Sequence, residues 1–303
     1  MHPQQQRWKG FMYALVAAFL WGVSGTCCQF LFEQRGISPE WLVTVRMLSA
    51  GLLLLMIGFV KREPCLWNTW REKRDAVQLL IFGVFGMMAV QYTYFITIKH
   101  SNAATATVLQ YIGPVFITLY LAMRNRRWPR VVEFIAVLLA VVGTFLLVTH
   151  GSFNTLSISP LALGLGILAA VALAFYTLQP VQLIHKFKAY IIIGWGMLIG
   201  GVVFSFVQHP WDVSGTWDVY AYGATLFIIL FATLLAFYLF MTAVRLIGPQ
   251  TSSLLASAEP LAATVIGVLW LSTPFGWIDW LGTGFILLTI YLLTLSKPAT
   301  TAH

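Results

Sequence analysis

Long apolar runs separated by short polar clusters recur along the whole chain. Ten can be distinguished, over 10–31, 40–60, 76–98, 102–122, 131–149, 160–183, 189–207, 219–240, 249–271 and 277–295. Most approach the ~20 residues that a helix needs to cross the hydrocarbon core of a bilayer. None alternates with the period of two that a membrane barrel strand requires. Backbone groups in lipid must be satisfied within the segment, so helices are the physical solution. The pattern predicts an all-α membrane protein with ten transmembrane helices. Trp8, Trp41, Trp67, Trp70, Trp128, Trp211, Trp217, Trp277 and Trp280 fall near segment ends, where interfacial anchoring is expected.

Composition agrees with the pattern. Hydrophobic residues make up 59% of the 303 positions and charged residues 9%, with a mean hydropathy of +0.82. Soluble domains carry about 25% charge, so an ordinary cytosolic enzyme, a disordered chain and a nucleic-acid-binding module are all excluded. The net charge of +8 is read as loop bias. With a cytoplasmic amino terminus, fifteen of the 18 Lys and Arg residues fall in inside segments; only Arg35 and Lys99 fall outside, and Arg46 lies within the second span. That bias predicts cytoplasmic termini and an even number of helices in an inner (plasma) membrane. Arg7 and Lys9 before the first apolar run are expected to precede a retained helix rather than a cleaved signal. Cys27, Cys28 and Cys65 give no disulfide framework.

The chain also repeats itself. The stretch 99–114, from Lys99 to Pro114, aligns with 245–260, from Arg245 to Pro260, at a constant offset of 146. Thr105 meets Thr251, Thr107 meets Ser253, Tyr111 meets Ser257, and proline meets proline. The fourth helix therefore corresponds to the ninth, and each half holds five helices, over 10–149 and 160–295. Five is odd, so the second half enters the membrane from the opposite side. Such inverted repeats recur in secondary transporters, with a site near the midplane.

Several residues could carry chemistry there. Pro114 and Pro260 interrupt corresponding helices and displace the carbonyls of Gln110 and Ala256. Paired interruptions point to a transporter site or, more simply, to paired kinks. Glu259 sits at mid-depth of the ninth segment, where a carboxylate must face protein or water. It is a candidate proton or cation carrier, or a structural lock on the broken helix. Arg46 could pair with Glu259, bind a substrate carboxylate, or snorkel to the headgroups. Asp279 and Glu133 fall near segment ends and are expected at the interface. Asn102, Thr105, Thr107, Gln110 and Tyr111 on the fourth helix, Ser253 and Ser257 on the ninth, and Gln29, Gln91, Tyr92, Tyr94, Tyr176, Gln179 and Trp195 elsewhere are candidate cavity-lining groups. Small-residue pairs at Gly196–Gly200, Gly83–Gly86 and Gly282–Gly284 permit close helix approach.

These motifs resemble the ten-helix EamA carriers of the drug/metabolite transporter superfamily. The resemblance rests on Ala17–Gly22, Arg46, Asn102–Pro114, Gly143–Val148 and Ala258-Glu259-Pro260, and spans about residues 10–295. It implies two five-helix repeats around a central cavity and transport of small metabolites, commonly efflux of amino acids or related compounds. Many relatives place a glutamate about a dozen residues after each proline; here those regions read Arg124-Asn125-Arg126 and Ser272-Thr273, so no role of that glutamate carries over. The expected function is a secondary transporter working by alternating access. The alternatives are a proton-coupled uptake carrier for a small amine or metabolite, a channel or receptor-like binding protein, and a membrane-embedded enzyme. The last lacks a nucleophile–base pair or metal motif, since His100, His150, His185 and His209 all fall at segment ends. No Walker motif supports primary pumping. No cofactor and no nucleic acid is expected; the expected partners are a small-molecule substrate, the bilayer and, as a candidate coupling ion, the proton.

Overall fold

The computed structural model describes residues 3–100, 103–126, 128–155, 159–271 and 276–295. Its described backbone forms ten helical rods. α1 runs over Pro3–Gln29 and ends in a π-helical turn, Phe30–Gln34. α2 is Pro39–Val60. α3 comprises Lys73–Ile81, a π-helical stretch Phe82–Met88, and Ala89–His100. α4 is broken into Ala103–Gln110 and Gly113–Arg124, and α5 is Val131–Thr149. In the second half, α6 comprises Pro160–Leu178 and Val181–Lys186, and α7 is Ala189–Phe204. α8 comprises Val219–Phe227, a π-helical stretch Ile228–Leu235, and Ala236–Ile247. α9 is broken into Pro249–Leu255 and Ala258–Leu271, and α10 is Trp277–Leu295. Seven of these rods are by themselves long and apolar enough to cross a membrane. Several outrun their apolar runs by a turn or more, because polar loop residues such as Lys73 and Arg245 continue the helix into the interface.

The packing has two-fold order. Exchanging α1 with α6, α2 with α7, α3 with α8, α4 with α9 and α5 with α10 maps the main contacts onto one another. α1 packs on α8 and α9, as α6 packs on α3 and α4, giving two three-helix bundles. The pairs α2–α7 and α5–α10 each lie across the axis. In lipid no hydrophobic force drives helices together, so close approach through small residues matters most. A Cβ on Gly51 would stand 2.7 Å from the backbone nitrogen of Leu198. Gly143 and Gly282 oppose each other so closely that a Cβ on either would lie 3.0–3.1 Å from the other's carbonyl. Of the predicted small-residue pairs, Gly83, Gly196 and Gly200 make such contacts, whereas Gly284 faces open space.

Polar bonds hold the two ends. The face carrying loops 61–72, 124–130, 186–188 and 245–248 is called the basic face below. There Lys186 pairs with Asp75 and Glu72, and Lys188 with Glu63. The Lys188 bond holds the Glu63 carboxyl below its ordinary range and raises the Lys188 ammonium in turn. On the opposite face Arg35 grips Asp218 at 2.8 Å and keeps that carboxyl low. Asp218 also accepts the Ala221 N–H and so caps α8.

Two expectations change here. Asp279 lies in the first turn of α10, at the segment end as expected, but is only 2% exposed rather than solvated. It turns back to accept the Gly276 N–H at the start of α10 and contacts His150 at 2.7 Å. Trp8, Trp67, Trp128, Trp211, Trp277 and Trp280 are exposed as an anchoring belt would be, but Trp41 is buried. It packs on Trp217 and donates to the Pro210 carbonyl, pinning the 205–218 loop.

Candidate functional site

The centre of the molecule is where α4 and α9 break. Proline cannot donate a backbone hydrogen bond, and its ring clashes with the carbonyl four residues earlier. In α4 the ladder tightens around Tyr111 and Ile112: Ile112 N–H bonds the Leu109 carbonyl and Val115 N–H bonds the Ile112 carbonyl. In α9 Ser257 N–H bonds the Leu254 carbonyl and Glu259 N–H the Ala256 carbonyl. Pro114 and Pro260 then lie in the first turn of each continuing segment, where a missing N–H costs little.

The two breaks meet. The Tyr111 hydroxyl contacts the Ala256 carbonyl oxygen at 2.8 Å and Glu259 Oε2 at 2.9 Å. Tyr111 belongs to the α3–α4–α6 bundle and Glu259 to the α1–α8–α9 bundle, so this junction crosses the seam between them. α1 presses on it from outside: a Cβ on Gly22 would lie 2.6 Å from the Glu259 carbonyl. Toward the basic face the seam is closed further. Tyr176 of α6 stacks on Phe240 of α8, and Gln250 of α9 donates to the Thr118 hydroxyl of α4 at 3.2 Å.

A second group lies nearer the opposite face. Arg46 of α2 is 8% exposed, and its guanidinium sits 5.1 Å from the centre of the Phe95 ring. Its Nε has no hydrogen-bond partner. Among the described residues it forms no ion pair, with Glu259 or any other acid, and its burial means that it does not snorkel. Cys28 of α1 and Tyr94 of α3 lie within Coulombic reach of it. Tyr94 is also within reach of Glu259, and bonds the Thr107 hydroxyl at 2.9 Å. Phe32, at the end of α1, meets Phe95 edge-on across the same seam.

The structure thus gathers Tyr111, Glu259, Pro114 and Pro260 at the centre, with Tyr176 toward the basic face and Tyr94, Thr107 and Arg46 toward the opposite face. Ser253 and Ser257 are buried and bond carbonyls of their own helix. Tyr92 packs against Phe204, and Gln110 is half-buried. Trp195 is set apart: it donates to the Leu66 carbonyl and packs on Trp67 and Trp70, clamping the 61–72 loop. Gln91 and Gln179 also bond backbone carbonyls, of Met87 and Gln78. Asn102 and the side chains of Gln29 and Thr105 lie outside the described residues.

Phe95, Cys28 and Trp21 are not among the cavity-lining residues that the sequence suggests. Trp21 donates to the Ala232 carbonyl inside the π-helical stretch of α8. A π turn shifts the bonding register and leaves a carbonyl to be satisfied from outside, often near functional sites. An indole inside an apolar run, needing an acceptor, was the available signal. Among the described residues no group of His, Cys, Asp and Glu could hold a metal ion.

The sequence profile of the EamA-like transporter family matches residues 8–149 and 160–295. The inner membrane transporter YicL of Salmonella typhimurium, itself uncharacterized, is 39% identical over 95% of this chain and 96% of its own. The threonine/homoserine exporter RhtA of Escherichia coli is 26% identical over 81% of this chain and 78% of its own. A solved crystal structure with 16% identity superposes with a TM-score of 0.78, covering 94% of this chain and 96% of the other. Two profile matches separated by one loop, on a helical membrane fold with two repeats, identify this chain as a member of the EamA-like transporter family.

Proposed function

We propose that this membrane transporter exports a small metabolite, an amino acid or a related compound, by alternating access, with Glu259 exchanging a proton for the substrate. The observation that carries this is the junction of the two broken helices across the bundle seam. Rocking one three-helix bundle against the other must make and break the contacts of Tyr111 with Ala256 and Glu259, so ligand or proton binding at Glu259 is coupled to that motion. Hydrogen counting supports the proton. One phenolic hydrogen cannot fully satisfy both the Ala256 carbonyl and a carboxylate. The count closes when Glu259 carries a proton, which it donates to the Tyr111 oxygen while Tyr111 donates to Ala256. A substrate ammonium arriving at Glu259 competes with that proton, which is the logic of an exchanger. Efflux and an amino-acid substrate draw support from the RhtA exporter named above. Each half, 10–149 and 160–295, is proposed to act as one repeat unit.

The test is counterflow and pH-driven transport in proteoliposomes with Glu259→Gln. Glutamine keeps the size and can donate to Tyr111, but cannot titrate. The expected result is preserved exchange with lost pH dependence and lost accumulation. A folded variant with an unchanged pH profile rejects the coupling role and leaves Glu259 as a lock on the broken helix.

A further inference from the structure

Arg46 is the one Lys or Arg that the sequence places inside a span, and among the described residues no carboxylate pairs with it. Taking an ion out of water costs several kcal/mol unless a partner replaces the lost hydration. Here Arg46 is 8% exposed and its buried Nε is unpaired. Among the described residues its charged and titratable surroundings are Cys28, a thiol, and Tyr94, a phenol, with the Phe95 ring against it. None of these is a carboxylate. The ring contributes a cation–π contact, which is worth only about 0.5–2 kcal/mol.

Its position is as informative as its isolation. Arg46 is seven residues from the start of α2, Tyr94 six from the end of α3, and Cys28 six from the end of the π turn that closes α1. At 1.5 Å per residue the three lie in one layer, about 10 Å below the face opposite the basic one. Cys28 belongs to one moving bundle and Tyr94 to the other, with Arg46 on the α2 helix beside them. Tyr94 links this layer to Glu259, because it lies within Coulombic reach of both. A planar donor group with a vacant edge at a bundle seam matches a planar anion, since the guanidinium fork pairs with a carboxylate through two parallel hydrogen bonds.

From this we infer that Arg46 is the recognition group for a substrate carboxylate, and that the transported compounds are those with a carboxylate at a short distance from a group held at Glu259. The inference rests on the transporter reading above and narrows its substrate class. Amines without a carboxylate, and neutral solutes, fall outside it. The anion at Arg46 comes from the free solute rather than from a lipid headgroup, because the guanidinium lies among α1, α2 and α3 rather than on a lipid-facing surface.

Thermal unfolding of the purified protein in phosphatidylcholine nanodiscs tests this directly. The probes are the twenty common α-amino acids, each measured beside its carboxamide. The expected result is that at least one acid raises Tm while its amide needs at least tenfold more to do the same. Arg46→Gln erases that shift and Arg46→Lys weakens it. The empty Arg46→Gln protein is expected to melt at or above the wild-type temperature, which a merely structural arginine would not allow. Equal stabilisation by acid and amide overturns the inference, as does the absence of any shift with all twenty acids. An Arg46-dependent shift seen only when phosphatidylglycerol is added assigns the anion to lipid and overturns it too. The acid-against-amide comparison on the unaltered protein keeps the test decisive if a variant fails to fold. Counterflow of the stabilising acid judges the transporter reading separately: binding without counterflow removes transport and leaves the carboxylate site, while equal counterflow of acid and amide does the reverse.

Discussion

At the scale of single residues, Tyr111 does two jobs with one hydroxyl. It covers the carbonyl that Pro260 displaces, and it holds the Glu259 carboxyl across the bundle seam. Removing it leaves both groups less satisfied in a buried site, where an unmet polar group costs about 1–3 kcal/mol. Tyr111→Phe is therefore expected to lower the melting temperature of the purified protein. Combined with Glu259→Gln it should be non-additive, with a coupling of about 0.5–3 kcal/mol in a double-mutant cycle, as for groups in direct contact. Additive losses would show that the hydroxyl serves Ala256 alone. The sequence pointed to this position through the proline pair, because Pro114 and Pro260 sit at a fixed spacing that survives duplication. It did not disclose that the Ala256 carbonyl, besides accepting the Glu259 N–H, takes a side chain from the other half as a partner. That contact joins residues 145 positions apart, and no local pattern encodes it.

At the scale of elements, the axis-spanning pairs α2–α7 and α5–α10 rely on backbone approach. Gly51 has the Leu198 nitrogen and the Gly194 carbonyl within 3.0 Å of where its Cβ would stand. These are backbone atoms that cannot rotate away. Gly51→Val must push α2 from α7, and the expected outcome is a large fall in thermal stability and in membrane yield. Gly223→Val, at a position with open space around it, serves as the control and should have little effect. A Gly51→Val protein as stable as that control would show that α2 and α7 do not hold the frame. Hydropathy located these helices well, since a span needs only length and apolarity. It could not place the π-helical stretches at Phe82–Met88 and Ile228–Leu235, because an apolar run gives no period to betray a change of register. Nor could it tell that Trp195, within α7, clamps the 61–72 loop rather than lining a cavity: an indole within an apolar span has the same sequence signature in both.

At the scale of the whole molecule, the basic face carries the ion pairs of Lys186 and Lys188 and is expected to be cytoplasmic. The chain's own cysteines test this. Cys27 and Cys28 are buried within α1, whereas Cys65 is partly exposed on the 61–72 loop. A membrane-impermeant maleimide should label Cys65 in inside-out vesicles and not in intact spheroplasts. Labelling from the outside would invert the topology. The two-fold order of the frame has a further consequence. The π-helical stretches begin at Phe82 and Ile228, 146 positions apart, the same spacing that relates Pro114 to Pro260. One extra residue between these features in either half would shift that spacing by one. The wide turn and the proline break thus occupy corresponding positions in both five-helix halves. Glu259 has no such counterpart, since the same spacing places it opposite Gly113. The frame treats the two halves alike, and the acidic centre is the point at which they are not interchangeable.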